Sequence, residues 1–199
     1  MDRSTASETD GRGRARLLDY LALARIGHWI KHLFIVPGII LAALLHRRPL
    51  DVGELWQPVL FGLVSASLVA SANYVLNEWL DRASDSFHPR KSARPAVSKR
   101  LSPLLLGTQY VGLLGLGLLA ATGVTTLFAL TVSAFAVAAW IYNVPPLRTK
   151  DVVYLDVLSE SVTTTHRLTM GWAMVDGRTL PPGSLMLAFW TAGAFLMAV

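Results

Sequence analysis

The chain has 199 residues, of which 53% are hydrophobic and only 16% are charged, and its formal net charge at pH 7 is +5. Soluble domains carry about 25% charged residues, so this composition argues against a soluble enzyme, a disordered protein and a nucleic-acid-binding domain. It favours an integral membrane protein. The absence of cysteine excludes disulfides, thiolate nucleophiles and cysteine-ligated metal sites.

The sequence predicts a short tail followed by one membrane domain. Residues 1–20 begin with a polar stretch that cannot bury enough apolar surface to offset ordering, so we expect a flexible tail there. A membrane-spanning helix needs about 20 mainly apolar residues, and about six segments of residues 21–199 meet this need. They cover roughly Trp29–Leu45 (with a kink near Pro37), Leu55–Leu80, Pro103–Thr122, Val124–Asn143, Tyr154–Val175 and the stretch from Pro182 onward. The predicted fold is an all-α, polytopic transmembrane helical bundle.

Two features of these spans carry further expectations. The gap at Thr122 is short, so the third and fourth spans are expected to form a tight antiparallel pair, with Gly112, Gly115 and Gly117 allowing close helix contact. The last apolar stretch has no charge or cap before Val199, and helices normally stop with such signals. We therefore expect the chain to be a fragment that ends inside a span; the alternative is a natural terminus at the far membrane face.

The distribution of charge predicts the orientation in the membrane. Fourteen of the 18 basic residues fall in the amino-terminal region, the 81–101 loop or the 144–153 loop. Because basic residues accumulate on the cytoplasmic side, this bias predicts an amino terminus in the cytoplasm. The expected location is a bacterial cell membrane.

Residues 71–100 carry the richest polar pattern. Asn73, Asn77, Asp81 and Asp85 are spaced by four and form one stripe along a helix, with Glu78 on its neighbouring edge. Carboxylates one turn apart repel each other unless a cation lies between them. Carboxylate and amide oxygens are hard ligands that suit Mg²⁺, which usually also binds substrate phosphates. The alternative is a solvated helix end with ordinary surface acids.

A basic segment follows this acidic stripe directly. Acids that hold a metal, next to bases that hold phosphate oxygens, are typical of a diphosphate site. Positive-inside signalling and lipid head-group contact also explain such bases. The basic residues after the stripe are His88, Arg90, Lys91, Arg94, Lys99 and Arg100, and Arg148 and Lys150 lie on the same predicted side.

The fifth span contains ionisable residues of its own. Asp156, Glu160 and Arg167 can share one helix face, and ionisable residues inside a span are usually paired. Glu160 and Arg167 are interpreted either as a structural ion pair or as functional groups. His166 is interpreted as a packing residue, or as one that makes an interhelical hydrogen bond, rather than as a metal ligand.

The segment from Asn77 to Asp85 resembles the first aspartate-rich motif of the UbiA superfamily of intramembrane prenyltransferases. That motif is usually written Asn-Asp-x-x-Asp-x-x-x-Asp. The continuation HPRKSARP, the pattern RIGHWIK from Arg25 to Lys31 and the segment YNVPPLRTKD are similar to the decaprenyl-phosphate phosphoribosyltransferase-like branch. The resemblance covers about residues 20–180.

The resemblance implies a bundle of about nine spans in which two aspartate-rich motifs hold Mg²⁺ and a diphosphate. It implies catalytic roles for Asn77, Asp81 and Asp85, with Glu78 joining them as metal ligands. The substrate-binding residues that we predict are Lys31, Asn73, Arg90, Lys91, Arg94, Arg148 and Lys150.

This sequence departs from the family pattern at three places. Glu78 replaces the usual second aspartate, and residues 163–166 match no stretch of the family pattern. The resemblance also implies a second motif after the sixth span, and the sequence reaches Val199 within that span. The 199 residues alone are therefore expected to be inactive.

Three functions remain open at this point. The first is Mg²⁺-dependent transfer of a polyprenyl group from its diphosphate to an acceptor. The second is phosphoribosyl transfer from phosphoribosyl diphosphate to a polyprenyl phosphate. The third is a non-catalytic membrane protein, such as a transporter or assembly factor. The expected partners are a polyprenyl diphosphate or polyprenyl phosphate and the lipid bilayer, with no nucleic acid.

Overall fold

The computed structural model describes residues 13–46 and 51–198 and is almost entirely helical. Its α-helices are Leu17–Leu23 (α1), Val36–Leu45 (α2), Val52–Asp85 (α3), Pro95–Ser98 (α4), Pro103–Ala121 (α5), Thr126–Asn143 (α6), Leu155–Val175 (α7) and Gly183–Ala198 (α8). Ile26–Ile35 and Thr149–Asp151 are 3₁₀ segments. Two-residue strands, Gly13–Arg14 (β1) and Lys99–Arg100 (β2), pair in parallel. The predicted all-α bundle is confirmed.

The predicted tail lies only partly within the described residues. Residues 1–12 fall outside them, so flexibility there stays a prediction. Within the remainder of the predicted tail, Gly13 and Arg14 form β1, and α1 begins at Leu17.

Helices occupy all six predicted spans, but only four of them are both long enough and apolar enough to cross a membrane. In the described part of the chain, four segments are long and apolar enough to cross a membrane: Leu17–Leu45, Gly53–Asp85, Pro103–Ala121 and Thr126–Asn143. The fifth predicted span, α7, is long enough but carries Asp156, Glu160 and Arg167, while the sixth, α8, is apolar but has 16 residues.

Local sequence signals explain where the long helices begin. Asp51 caps α3 by accepting a hydrogen bond from the Gly53 backbone N–H at 2.7 Å. Thr125 caps α6 through Phe128 N–H, and its hydroxyl also donates to the Ala173 carbonyl at 3.0 Å. Side-chain oxygens at these positions satisfy amides that a helix start leaves unpaired. Near Pro37, the first predicted span changes from 3₁₀ to α-helix at Val36.

Helix α7 is packed against α2, α3, α6 and α8. The closest approach is to α2, because a Cβ atom added at Gly171 would lie 2.0 Å from the Ile35 carbonyl oxygen and one added at Gly38 would lie 2.1 Å from the Leu168 carbonyl oxygen. No side chain fits at either position. The main apolar core surrounds this crossing and includes Ile35, Val69, Phe128, Val132, Phe135, Met170 and Met174.

Of the three glycines predicted to allow close contact, only Gly117 does so. A Cβ there would lie 2.7 Å from the Val69 side chain, whereas nothing lies within 4 Å of a Cβ at Gly112 or Gly115. The Ser65 hydroxyl donates to the Gly117 carbonyl at 2.7 Å. Helix α5 therefore packs chiefly on α3. Its contact with α6 is much smaller, so the third and fourth spans do not form the tight pair that was expected.

The outer helix faces are strongly apolar. Large apolar side chains are exposed along α5 and α6, among them Leu104, Val111, Leu116, Leu119, Leu130 and Val137. Exposed apolar surface of this extent is unfavourable in water and favourable in hydrocarbon. Together with the four apolar spans, it identifies an integral membrane protein.

Replacement of Gly171 by Ala tests the α2–α7 crossing. The new methyl group would collide with backbone atoms of α2, so we expect Gly171→Ala to cost about 3 kcal/mol or more and to lower Tm clearly. Thermal unfolding in detergent, followed by size-exclusion chromatography, measures this.

Gly112→Ala is the matched control, because nothing lies within 4 Å of its added Cβ and alanine favours helix by about 1 kcal/mol. Equal Tm values for the two variants would show that the helices do not cross as described.

Candidate functional site

A cavity of about 580 Å³ opens between α3, α6, α7 and the connection from α6 to α7; we call it the central cavity. The predicted stripe of Asn73, Asn77, Asp81 and Asp85 lines one wall. Arg148 and Lys150 from the α6–α7 connection line another, and Glu160, Thr163 and Arg167 of α7 also face it. The apolar lining comes from Ala70, Phe135, Ala138, Ala139 and Met197. The cavity therefore has a charged part and an apolar part.

The Lys150 ammonium connects three elements. Its Nζ donates to Asn77 Oδ1 at 2.7 Å, Asp81 Oδ1 at 2.6 Å and Asn143 Oδ1 at 2.8 Å. An ammonium has three donors, so all of them are used. Burial lowers the pKa of Lys150 below its ordinary value, while the Asp81 carboxylate opposes this shift. We call Lys150 and these three acceptor oxygens the Lys150 node.

Arg148 reinforces the node from the same connection. Its Nη2 donates to Asp81 Oδ1 at 2.9 Å, and its Nε donates to Asp151 Oδ2 at 2.6 Å. The Arg148 backbone has φ 27°, a region that non-glycine residues rarely adopt. Such a conformation costs about 1–3 kcal/mol, and it persists only where surrounding contacts hold it. The paired Asp81 supplies one of those contacts.

Asp85 is paired with the basic loop that follows α3. Its Oδ2 accepts from Arg94 Nη1 at 2.6 Å, and Lys91 Nζ lies 3.6 Å from Oδ1. Asp85 is only 4% exposed, so these cations compensate most of its charge. Both carboxylates of the stripe are thus paired with basic side chains. Those that pair with Asp81 come from the α6–α7 connection, and those that pair with Asp85 come from the loop after α3.

Glu78 lies apart from the stripe. Its side chain is buried and does not line the cavity; instead Oε2 accepts from Arg25 Nε at 3.3 Å and Nη2 at 3.0 Å. Arg25, like Arg148, has positive φ, at 47°. Because Glu78 faces Arg25 rather than Asp81 and Asp85, we leave it out of the proposed metal ligands and describe it as a structural partner of Arg25.

The other predicted substrate-binding residues divide into two groups. Lys31, Asn73, Lys91, Arg148 and Lys150 line the central cavity. Arg94 reaches the site only through Asp85. Arg90 is exposed and does not line the cavity, and no contact among the described residues connects it with the site.

Sequence reasoning gave no role to three residues that contact predicted site residues. Asn143 ends α6 and binds Lys150, Asp151 binds Arg148, and Arg25 binds Glu78. A polar residue at the end of an apolar span was a signal for Asn143. The Arg25–Glu78 pair joins residues 53 positions apart, so spacing within one helix could not reveal it.

Glu160 and Arg167 do not form the ion pair that was one interpretation of them. Over residues 13–46 and 51–198, no ion pair within 4 Å includes either residue. His166 Nδ1 lies 2.9 Å from the Val162 carbonyl oxygen, one turn back in α7, and its ring is tilted against Phe135. The interpretation of His166 as a packing residue agrees with these contacts.

The oxygen donors in the cavity suit a divalent ion that also binds phosphate. No group of three or more histidine, aspartate or glutamate residues with metal-site geometry occurs in the described ranges. Asp81, Asp85 and Asn77 nevertheless offer two carboxylates and one amide oxygen on one helix face. Mg²⁺ in phosphate sites typically takes one or two carboxylates and completes its shell with phosphate and water. The donor set fits that partial arrangement.

Glu78→Gln tests whether Glu78 is a structural partner of Arg25. The change leaves a mostly buried guanidinium without its counter-charge, so we expect a loss on the order of 3 kcal/mol and a lower Tm in detergent. Glu54→Gln is the control, because Glu54 is an exposed acid in the first turn of the same helix and should change Tm little. An unchanged Tm for Glu78→Gln would contradict the assignment.

Two curated relatives are similar in sequence to this chain. Nodulation protein NoeC of Azorhizobium caulinodans is 35% identical over 181 residues, which are 90% of this chain and 54% of NoeC. Protoheme IX farnesyltransferase of Geobacillus kaustophilus is 30% identical over 121 residues, which are 59% of this chain and 38% of that enzyme. The chain thus spans about half the length of NoeC and less of the farnesyltransferase.

Solved structures share the fold. A UbiA homologue from Archaeoglobus fulgidus bound to GPP and Mg²⁺ superposes with a TM-score of 0.71 at 21% identity, over 90% of this chain and 61% of that one. The same homologue bound to DMAPP and Mg²⁺ gives 0.69 at 20% identity, over 88% and 60%. Residues 33–199, which are most of the chain, match the model of the UbiA prenyltransferase family. The chain therefore belongs to the UbiA prenyltransferase family.

Proposed function

We propose that the central cavity binds the diphosphate of a polyprenyl donor and that the protein transfers the polyprenyl group to an acceptor within the membrane. The observation that carries this proposal is the facing pair of walls: two carboxylates and an amide on α3, opposite Arg148 and Lys150. Apolar residues continue from these charges, and they suit a hydrocarbon tail.

The basic residues account for binding of the leaving group. Lys150, Arg148 and Lys91 line the cavity and can donate to diphosphate oxygens, since charge-assisted hydrogen bonds are about twice as strong as neutral ones. Asn77, Asp81 and Asp85 would hold Mg²⁺. When bound, Mg²⁺ neutralises diphosphate charge as a Lewis acid. An anionic ligand also favours the charged form of Lys150, whose pKa burial has lowered.

In the proposed transfer, the bond between the allylic carbon and the diphosphate oxygen breaks, and its electron pair leaves with the diphosphate. The acceptor atom forms the new bond to that carbon and gives up its proton, which an oxygen of the departing diphosphate accepts. Lys150 and Arg148 stabilise charge as it develops on the leaving oxygen, which is the part of the reaction where fixed donors lower the barrier. The apolar wall around Phe135 and Ala138 excludes water from the allylic carbon.

The relatives support this assignment at the level of reaction type. The farnesyltransferase named above is a prenyltransferase by name, and the Archaeoglobus homologue holds prenyl diphosphates with Mg²⁺. We also propose that the Asp85 end of α3 faces the cytoplasm of a bacterial cell, because basic residues cluster there. Protease accessibility of the 86–94 loop in inverted vesicles, but not in intact cells, would agree with that orientation.

Asp81→Asn tests the diphosphate site. The change removes a carboxylate that would hold Mg²⁺, so we expect Mg²⁺-dependent affinity for geranyl diphosphate to fall about tenfold or more. Equilibrium binding to purified protein in detergent, with Mg²⁺ or with EDTA, measures this. Asp51→Asn is the control, since Asn also caps helices and Asp51 lies at the other end of α3.

The choice of donor separates the remaining functions. Equal Mg²⁺-dependent affinity of wild type and Asp81→Asn would contradict the site. Binding of phosphoribosyl diphosphate in place of geranyl diphosphate would favour phosphoribosyl transfer to a polyprenyl phosphate. No binding of either ligand would favour a non-catalytic membrane protein.

A further inference from the structure

A second cavity, of about 340 Å³, lies between α6, α7 and α8; we call it the outer groove. Its volume falls within the range of about 300–1,000 Å³ that is typical of small-molecule sites. Most of its walls are aliphatic side chains, and among the described residues no charged one lines it. None of the residues that line the outer groove lines the central cavity.

The outer groove lies on the opposite side of α7 from the central cavity. Val162 and Thr169 line the groove, whereas Glu160 and Arg167 line the central cavity. Each groove residue follows a cavity residue by two positions, which is about 200° around an α-helix. Leu130, on the α6 side of the groove, is 63% exposed. The groove therefore opens on the apolar outer surface of the bundle, where the surroundings are lipid.

Three threonines line the outer groove, and each hydroxyl already uses its hydrogen. Thr131 Oγ1 donates to the Leu127 carbonyl at 2.8 Å, and Thr169 Oγ1 donates to the Thr165 carbonyl at 2.9 Å. Thr165 Oγ1 donates to the Met186 carbonyl at 3.4 Å. A carbonyl oxygen only accepts, so these hydroxyls can take part in a further hydrogen bond only as acceptors.

His166 is the fourth polar side chain of the outer groove, and it also offers an acceptor. A charged imidazole would be costly here, because no acid lines the groove within the described residues. In the neutral ring, Nδ1 carries the proton, since it lies 2.9 Å from the Val162 carbonyl oxygen. Nε2 is therefore an acceptor. No described residue donates to Nε2, and it is not one of the enclosed polar atoms that lack a partner, so the groove gives access to it.

We propose that the outer groove binds a neutral, membrane-soluble molecule with an apolar body and a hydroxyl group, and that this hydroxyl donates to His166 Nε2. All four polar side chains of the groove can only accept, so a donor is the polar group that complements them. The apolar walls suit a hydrocarbon body. Aliphatic alcohols and phenols share this chemistry. The groove and the central cavity have no residue in common, so the assignment does not rest on the proposed transferase function.

The acceptor lining determines which molecules the outer groove rejects. An ether or a ketone of the same shape has no donor, and it leaves Nε2 of His166 unpaired in surroundings that hold no water. Charged amphiphiles find no counter-ion in the groove. A site that bonds a hydroxyl discriminates against analogues that lack one. The groove therefore selects for hydroxyl compounds among the apolar molecules of the bilayer.

The experiment measures photolabelling of the purified chain in phosphatidylcholine vesicles. The probes are diazirine derivatives of 1-decanol, for an aliphatic alcohol, and of 4-hexylphenol, for a phenol; their methyl ethers are the matched compounds without a donor. We expect at least one hydroxyl probe to label residues 127–134 and 162–169 saturably. Its methyl ether should need a concentration about three- to tenfold higher for half-saturation, because one hydrogen bond is lost.

His166→Phe removes the acceptor and keeps an aromatic ring next to Phe135. We expect the half-saturating concentration of the hydroxyl probe to rise about three- to tenfold, while the methyl ether labels both proteins equally. A merely structural role of His166 would change the labelling by both probes alike. His88→Phe is the matched control, because His88 is exposed in the loop after α3 and does not line the groove.

Ala134→Leu provides a second variant in case His166→Phe does not fold. Ala134 lines the outer groove and is exposed on α6, so a larger side chain there occupies part of the groove without entering the core. Labelling by the hydroxyl probe should fall clearly. Ser133→Leu is the control, since Ser133 is exposed on the same helix but does not line the groove.

Preference for the alcohol or for the phenol identifies the source of the hydroxyl, and either preference supports the site. Four results would overturn it. They are equal half-saturating concentrations for the hydroxyl probe and its methyl ether; equal labelling of wild type, His166→Phe and Ala134→Leu; loss of labelling when geranyl diphosphate is added, which would place the probe in the central cavity; and cross-links between two copies of the chain at residues 127–134 in place of probe labelling.

Discussion

The three hydrogen bonds of the Lys150 ammonium hold the functional end of the bundle together. They join α3 through Asn77 and Asp81, α6 through Asn143, and the connection that carries Lys150 itself. The Lys150 side chain is only 11% exposed, so its charge is stabilised only while those oxygens stay in place. The positions of α3 and α6 and the charge balance of the cavity therefore depend on one another.

This arrangement places bases and acids in contact before any ligand enters. Asp81 is held by Lys150 and Arg148, and Asp85 by Arg94 and Lys91. A divalent ion alone must compete with those cations for the carboxylates. A diphosphate brings negative charge that the basic residues can bind instead, which frees carboxylate oxygens for the ion. The proposed function therefore implies that metal and diphosphate bind jointly, rather than metal alone.

The packing of α7 against α2 places one face of α7 at the central cavity. The glycine crossing of α2 and α7 brings their backbones into contact, so α7 lies close to the bundle centre. Glu160, Thr163 and Arg167 face the central cavity as a result. A polar helix of this kind falls below the apolarity of the four clear spans because one of its faces lines the cavity rather than lipid.

The parts of the fold that depend on local pattern were predictable from the sequence. Apolar segment lengths located the long helices, and spacing by four placed Asn73, Asn77, Asp81 and Asp85 on one face because an α-helix repeats every 3.6 residues. Contacts between distant segments were not predictable in this way.

Glu78 has the spacing of a neighbour to Asp81, yet its carboxylate turns to Arg25, which lies in another helical segment. Gly117 contacts α3 while Gly112 does not, although both belong to the same helix. In each case the outcome depends on which helix packs alongside, and one sequence does not specify that through its periodicity.

The most direct test of this account is the binding of Mn²⁺, as a substitute for Mg²⁺, measured by electron paramagnetic resonance of the purified chain in detergent. Because Asp81 and Asp85 are already paired with basic side chains, the protein alone should remove little of the free Mn²⁺ signal. Protein with geranyl diphosphate should remove clearly more than geranyl diphosphate does without protein. Equally strong Mn²⁺ binding with and without the diphosphate would contradict the joint binding of metal and diphosphate.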